Sequence, residues 1–276
     1  MGIDQNHSIS DHKTEMKLPE KPEYGNWVSM SLIYRSGIAF AIFLVISLAA
    51  AYAGQPILAM VPALIAALSM LAMLYFIYAR HLFSPAGRDV QGTIWERVLS
   101  ELDWDGEGKA LDIGCGSAPI TIGLAKKYPG ANITGIDYWG KGWEYSKSLC
   151  ETNAAIEGTD SRITFRKASA SDLPFEDETF DAVVSNLTFH EVKDIKDKRE
   201  AIREALRVLK KGGRFVFQDL FMMKSVYGDP GELVKTIQSW GIKDVEFVET
   251  NDDKNIPGAL KLPFMIGTLG IIKGKK

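Results

Sequence analysis

The residues best suited to chemistry lie in Leu111-Asp112-Ile113-Gly114-Cys115-Gly116-Ser117-Ala118-Pro119 and in the acidic residue that follows about twenty positions later. Gly114 and Gly116 allow a sharp backbone turn and the close approach of a ligand that a side chain would block. Asp137, at the end of the next strand-like run, is placed to accept hydrogen bonds from both hydroxyls of a ribose. That pairing fits a nicotinamide cofactor as well as other nucleosides. Asp112 adds a second constraint: two residues before the first glycine, it can organise the loop around an amino-acid moiety rather than a pyrophosphate. A third glycine is absent, and Ala118 stands where one is common.

Such a loop needs a sheet to hold it. Beyond about Asp89 the sequence alternates strand-like and helix-like runs. Strands are expected at Ala110–Ile113, Asn132–Ile136, Arg162–Lys167, Ala182–Ser185 and Arg214–Asp219, with helices near 118–127, 141–156 and 197–210 between them. An amphipathic stretch, Val90 to Leu102, precedes the first strand. Strand-then-helix order argues for an α/β fold with a parallel sheet wound on both faces, which binds ligands beyond the carboxyl ends of its strands. After a helix at 231–240 the order changes. Asp244–Thr250 and Met265–Ile272 have no helix between them, so an antiparallel hairpin closes the sheet.

The apolar content, 46% of 276 residues, is unevenly spread. From Ser36 to Ala79 there is no Asp, Glu, Lys, Arg or His, and Gly54-Gln55-Pro56 interrupts the run. We read two membrane-spanning helices, roughly 36–53 and 56–79, joined by a tight turn; the first is near the lower limit of about 17 residues for spanning. A signal peptide would have a shorter apolar core and a cleavage site in place of a second span. Small residues (Ala49, Ala50, Ala51, Ala53 and Ala59, Ala63, Ala66, Ala67) would let the helices pack closely. Lys17, Lys21 and Arg35 before the hairpin and Arg80 and Arg88 after it put both ends in the cytoplasm. Tyr24, Trp27 and Tyr34 on one side and Tyr75, Tyr78 and Phe83 on the other suit an interfacial aromatic belt. The expected organisation is therefore a polar tail over 1–35, disordered in its first two dozen residues, a transmembrane hairpin over 36–79 and a separate domain over 89–276.

A formal charge of −3 and a pI near 5.9 give no general pull toward nucleic acid. Cys115 and Cys150 form no CxxC and have no histidine at zinc-ligand spacing, so no metal site is expected.

Residues 109–219 resemble the core of the class I S-adenosylmethionine (SAM) dependent methyltransferases, the seven-stranded Rossmann-like group. LDIGCGSA is similar to its glycine-rich motif, ITGIDYW to its second, ASDLPFEDETFDAVVSN to the stretch around the fourth strand, and LRVLKKGGRFVFQD to the turn into the fifth. The resemblance covers the last two thirds of the chain and leaves the hairpin outside. It implies that Asp112, Gly114 and Gly116 surround the methionine part of SAM, that Asp137 holds the ribose, and that Tyr138 lies beside the adenine. It further implies that Asp172 accepts from the adenine amino group, that Leu173 contributes backbone contact, and that Asn186 lies near the sulfonium. Asp172 has another reading, as the cap of a short helix. Trp139 and Trp143, flanking Gly140-Lys141-Gly142, line the substrate pocket or simply pack. His190 is the only histidine in this domain and the only candidate general base, with a structural role as its alternative.

The implied reaction is an in-line displacement at the SAM methyl group. A domain tied to a bilayer points to a small lipophilic or membrane-borne acceptor: a quinone precursor, a lipid amine, a thiol or a phenol. Ser185-Asn186-Leu187-Thr188, where an NPPY-like loop would stand, argues against nucleic-acid and protein-glutamine acceptors. A SAM-binding sensor without activity and a membrane-anchored nicotinamide-dependent dehydrogenase remain as alternatives.

Overall fold

The computed structural model describes residues 19–140, 145–250 and 253–276. Lys17 and the rest of 1–18, as well as Lys141, Gly142 and Trp143, lie outside the described residues.

Two long helices come first, α1 (Met30–Tyr52) and α2 (Pro56–Phe83). Helix α1 begins earlier than its apolar run because Ser29 caps it, its side chain accepting from Ser31 N–H at 3.1 Å. Helix α2 opens on Pro56 at a position that needs no N–H donor, and runs four residues past Ala79. The pair is antiparallel and close: Ser47 Oγ donates to the Ala59 carbonyl at 3.0 Å, and a Cβ at Gly37 would stand 3.2 Å from the Met73 sulfur.

Helix α3 (Val90–Glu101) leads into the sheet. Its elements follow in the order β1 (Lys109–Ile113), α4 (Pro119–Lys127), β2 (Asn132–Asp137), α5 (Lys147–Ile156), β3 (Ile163–Lys167), β4 (Phe180–Asn186), α6 (Arg199–Val208), β5 (Leu209–Asp219), α7 (Lys224–Tyr227), α8 (Pro230–Ser239), β6 (Asp244–Glu249) and β7 (Gly270–Lys275). The spatial order is β3-β2-β1-β4-β5-β7-β6. The first five strands are parallel, while β7 lies antiparallel between β5 and β6. The α/β architecture with an antiparallel closing hairpin is as the sequence implied. Strand order reverses between β1 and β4, so the crevice beyond their carboxyl ends is where such a sheet takes a ligand. Leu111, Ile113, Val183 and Phe217 pack on one face with α6, while Ala110, Val184 and Val216 pack on the other with α3 and α4.

Two expectations change. The last strand begins at Gly270, not Met265. Residues 260–269 instead turn back on themselves, with Ile266 N–H on the Leu260 carbonyl and Gly267 N–H on that of Leu262. Their apolar side chains, Leu260, Ile266 and Leu269, are buried against Ala79, Leu82 and Phe83 at the end of α2, so the apolar pattern there serves docking to a helix.

Nor are residues 19–29 a loose tail; they form a strap along the domain. Glu23 N–H donates to Asn153 Oδ1 (2.9 Å), whose Nδ2 donates back to the Glu23 carbonyl (2.8 Å). Ser117 Oγ donates to the Tyr24 carbonyl, Trp27 N–H to Gln91 Oε1, and Arg80 Nη1 to the Val28 carbonyl. Tyr24 and Trp27 therefore do not belong to an interfacial belt. Trp27 packs edge-on against Phe83 and Trp95, and Tyr24 against Trp95.

Candidate active site

A cavity of about 800 Å³ opens beyond the carboxyl ends of β1, β2 and β4. Its walls include Asp112, Gly114, Gly116, Asp137, Tyr138, Asn186 and His190, so the structure brings most of the expected residues together.

The glycine loop is pinned from below. Gly114 and Cys115 donate their N–H groups to the Ile136 carbonyl at 2.8 and 2.9 Å. Gly114 has φ +74, and a Cβ there would fall 2.0 Å from Thr188 Oγ1. A Cβ at Gly116 would stand in ordinary contact with the Tyr145 ring, 3.6 Å away, so its φ of +58 is what favours glycine there, and the bare backbone lines the cavity. Ala118 takes φ +73 despite its Cβ, a left-handed conformation that costs alanine more than it would glycine.

Asp112 is fully buried, its Oδ2 accepting from Thr121 Oγ1 at 2.6 Å. Burial pushes its pKa up to about 7, against the pull of the Thr121 hydrogen bond. Asp137 accepts from Gly116 N–H through Oδ2 (3.0 Å) and from Trp139 N–H through Oδ1 (2.7 Å). Burial still holds its pKa above the ordinary carboxylate value. Tyr138 stands beside it, 64% exposed, with Lys167 Nζ 5.0 Å from its ring centre. Trp139 packs: its Nε1–H donates to the Gly116 carbonyl at 3.1 Å, and its ring meets the Cys115 cluster.

Asp172 and Leu173 do not reach the cavity. Asp172 is exposed after the turn in which its N–H bonds the Ser169 carbonyl. Leu173 is buried in the core, its N–H donating to Glu204 Oε1 and its carbonyl accepting from Arg207 Nη2. Both of its backbone groups are thus committed elsewhere. The segment that faces the cavity is Ala168-Ser169-Ala170, directly after β3. Ser169 Oγ donates to Asp194 Oδ2 at 3.0 Å, and Asp194 also lines the cavity. The signal in the sequence is the position just past the strand end, not the acidic residue three places later.

Across the crevice, Asn186 ends β4 with its Oδ1 buried and without a partner among the described residues. Thr188 Oγ1 donates to the Ile113 carbonyl, fixing the turn that presents His190. His190 Nδ1 lies 2.6 Å from Oδ1 of the wholly buried Asp219. That carboxylate also accepts from the N–H groups of Phe189 and Leu220 at 2.8 and 2.7 Å. Burial alone would lower the His190 pKa, but the Asp219 carboxylate overrides it and raises it above the usual histidine value. Asp219 was seen in the sequence only as the end of a strand. The remaining walls come from outside the sheet: Tyr24 and Trp27 of the strap, Phe83 of α2, Trp95 of α3, and Phe264, Met265 and Ile266 before β7.

Sheet order, glycine loop and strand-end acids agree with what the resemblance to class I SAM-dependent methyltransferases implies. Residues 111–217 match the family described as a methyltransferase domain. Among curated relatives, a ubiquinone/menaquinone biosynthesis C-methyltransferase of Geotalea daltonii is 30% identical over 124 residues, 44% of this chain and 50% of that protein. A demethylmenaquinone methyltransferase of Staphylococcus aureus is 31% identical over 128 residues, 46% of this chain and 49% of its own. The chain thus spans about half the length of these relatives. By fold it is similar to the [4+2]-cyclase SpnF (TM-score 0.53, 19% identity, covering 67% of this chain and 80% of that one). It is similar also to a geranyl diphosphate C-methyltransferase from Streptomyces coelicolor (TM-score 0.53, 16% identity, 68% and 79%).

Proposed function

We propose that this protein binds SAM and transfers its methyl group to a small lipophilic acceptor, with α1 and α2 holding the domain on a membrane. The observation that carries the reading is one cavity with a glycine cradle and Asp137 on one wall and a His190–Asp219 pair on the other. The residues fit SAM. Gly114 and Gly116 leave backbone free to approach its methionine part, Asp137 keeps lone pairs for ribose, Tyr138 offers a ring to adenine, and the unpartnered Asn186 Oδ1 awaits a donor. We assign the adenine edge to Ser169 and Ala170 in place of Asp172 and Leu173. SAM supplies a methyl carbon already activated by its sulfonium, so the protein's share is alignment and the exclusion of water.

His190 is the base for an acceptor that must lose a proton. With its Nδ1–H donated to Asp219, Nε2 keeps its lone pair and can take up the proton that the acceptor must lose. The imidazolium then remains stabilised by the Asp219 carboxylate. Asp219 is the positioning residue of this pair.

Both helices are long and apolar enough to cross a bilayer, and most of their large side chains face outward without protein cover. The charges at their ends support a cytoplasmic placement for the domain and the strap. The named reactions of the quinone-pathway relatives support a lipophilic acceptor. Calorimetry of the purified full chain with SAM, S-adenosylhomocysteine and NADH tests the cofactor, and radiolabelled methyl transfer to membrane lipid extract tests the reaction. Binding of NADH without either SAM or its product would sink the proposal.

A further inference from the structure

We propose that the cavity has a second opening at the bilayer surface beside Tyr75 and Phe264. There the hydrocarbon tail of a lipid acceptor remains in the membrane while its head reaches His190. The inference rests on the hairpin spanning the membrane as proposed above.

Two independent measures put Tyr75 at the cytoplasmic edge of the bilayer. Helix α2 has 28 residues, about 42 Å at ~1.5 Å per residue, whereas the hydrocarbon core is only ~30 Å thick and takes up about 20 residues. Counted from Pro56, the core ends near Tyr75. The register of the hairpin gives the same level. Gly37 lies beside Met73, so two residues onward in opposite directions Arg35 stands level with Tyr75. Arg35 is the charge that closes the apolar run of α1, and a charge marks the water side of the interface.

Below that level α2 is no longer a lipid-facing helix. Ala79, Leu82 and Phe83 are buried against Ile256, Leu260 and Ile266. The loop before β7 is thereby clamped to the helix, and Tyr75 Oη donates to the Ala259 carbonyl at 2.9 Å. At the level of Tyr75 the loop presents Phe264, whose ring meets that of Tyr75 edge-on at 5.8 Å. Phe264 is 67% exposed and also lines the cavity. Met265, Phe83 and Leu187 line the same cavity and share one apolar cluster, whereas its charged lining groups are Asp112 and Asp137 by the glycine loop and Glu191, Lys193 and Asp194 after His190. An apolar passage that starts at the interface and ends at the base is suited to a molecule with a tail. A polar acceptor from the cytosol gains nothing from it.

The test uses the full chain in phosphatidylcholine vesicles doped with two photoreactive phosphatidylcholines, one carrying a diazirine near the end of an acyl chain, to report on Leu64 and Leu68, and the other carrying it beside the acyl carbonyl, to report on the passage. After irradiation, adducts are mapped by peptide mass spectrometry. We expect adducts on the outward residues Leu64 and Leu68 of the hairpin and also on Phe264, Met265 and Trp27. Labelled Leu64 and Leu68 with unlabelled Phe264, Met265 and Trp27 would overturn the portal and leave the hairpin reading standing. Unlabelled Leu64 and Leu68 would overturn the hairpin reading and the portal with it. In Phe264→Asp, an exposed position, we expect labelling of Trp27 to fall by at least about fivefold because a charge at the interface opposes passage of the methylenes next to the lipid head, while labelling of Leu64 is unchanged. Equal labelling of Trp27 in the two proteins would also overturn the portal.

Discussion

Nδ1 of His190 and Oδ1 of Asp219 are 2.6 Å apart, and the carboxylate that raises the imidazole pKa has no exposed surface. Because the pKa is raised, the ring is neutral, and can act as a base, only above a pH higher than the ordinary ~6.5 of histidine. The rate of methyl transfer should therefore climb along an acid limb centred above that value. Asp219→Asn removes the charge and frees the ring to turn. We expect kcat to fall by roughly 10²-fold at pH 8 and the acid limb to move to lower pH, with SAM affinity unchanged. An unaltered pH profile would show that Asp219 does not position the base.

Asp137→Ala should weaken SAM by about 1.5–3 kcal/mol for each charge-assisted ribose hydrogen bond lost. The same carboxylate holds Gly116 and Trp139 through their N–H groups, so the loss should exceed that of a residue touching the ligand alone. Calorimetry reads the affinity, and wild-type affinity in the variant would remove Asp137 from the cofactor site.

Gly114→Ala places a Cβ where Thr188 Oγ1 now sits, at a backbone angle costly for alanine by about 1–2 kcal/mol. Thr188 must move, and with it the turn that carries His190. We expect both the melting temperature and SAM affinity to drop; a fully active, equally stable variant would contradict the cradle.

The parallel sheet and the glycine loop were legible because they are local: alternating apolar runs and two glycines at a strand end carry the information in adjacent residues. Which residue after β3 meets the cavity is not legible in the sequence, because turn geometry, not residue type, decides that Ser169 faces the cavity while Asp172 faces water. Asp219 was invisible as a partner of His190 because 29 residues separate them and only the alignment of β4 with β5 joins them. The strap was hidden for a similar reason. Its backbone groups are satisfied by the side chains of Gln91, Ser117 and Asn153, each unremarkable in its own segment.

That strap changes what a truncation can do. A chain beginning at Asp89, which the sequence suggested as a free-standing domain, lacks Tyr24, Trp27 and Phe83 and uncovers Val90, Ile94, Leu260 and Ile266. We expect it to aggregate and to bind SAM weakly. A chain that keeps 19–29 and 75–276 but replaces the intervening hairpin with a flexible linker should be soluble and bind SAM better. Equal solubility and affinity of the two would mean that the strap is dispensable.

Asp112 gives a prediction for stability. Its folded pKa of about 7 lies above the ordinary aspartate value of ~3.9, so the folded state holds the proton more tightly than the unfolded chain. Stability without ligand should then fall as pH rises from about 4 through 7, by at most on the order of 4 kcal/mol. In Asp112→Asn that slope should flatten in denaturant titrations across the same range; an unchanged slope would place its origin elsewhere.

The hydrogen bonds between Arg80 and the Val28 carbonyl, and between Asn26 and the Arg80 carbonyl, join residues more than fifty positions apart. In a free chain, bringing those ends together would cost loop-closure entropy that grows with the logarithm of length. Here two antiparallel helices return the chain to its starting level, so that cost is already met once α1 and α2 pair. During synthesis the hairpin emerges before Asn153 and before Glu157, whose Oε1 accepts from Tyr24 Oη at 3.3 Å. The strap must therefore wait, held near Arg80, for the second half of its berth. The strap can close on the cavity only after α5 is made, and the apolar cluster around Trp27 and Val28 is complete only once the still later residues Leu260 and Ile266 have joined it.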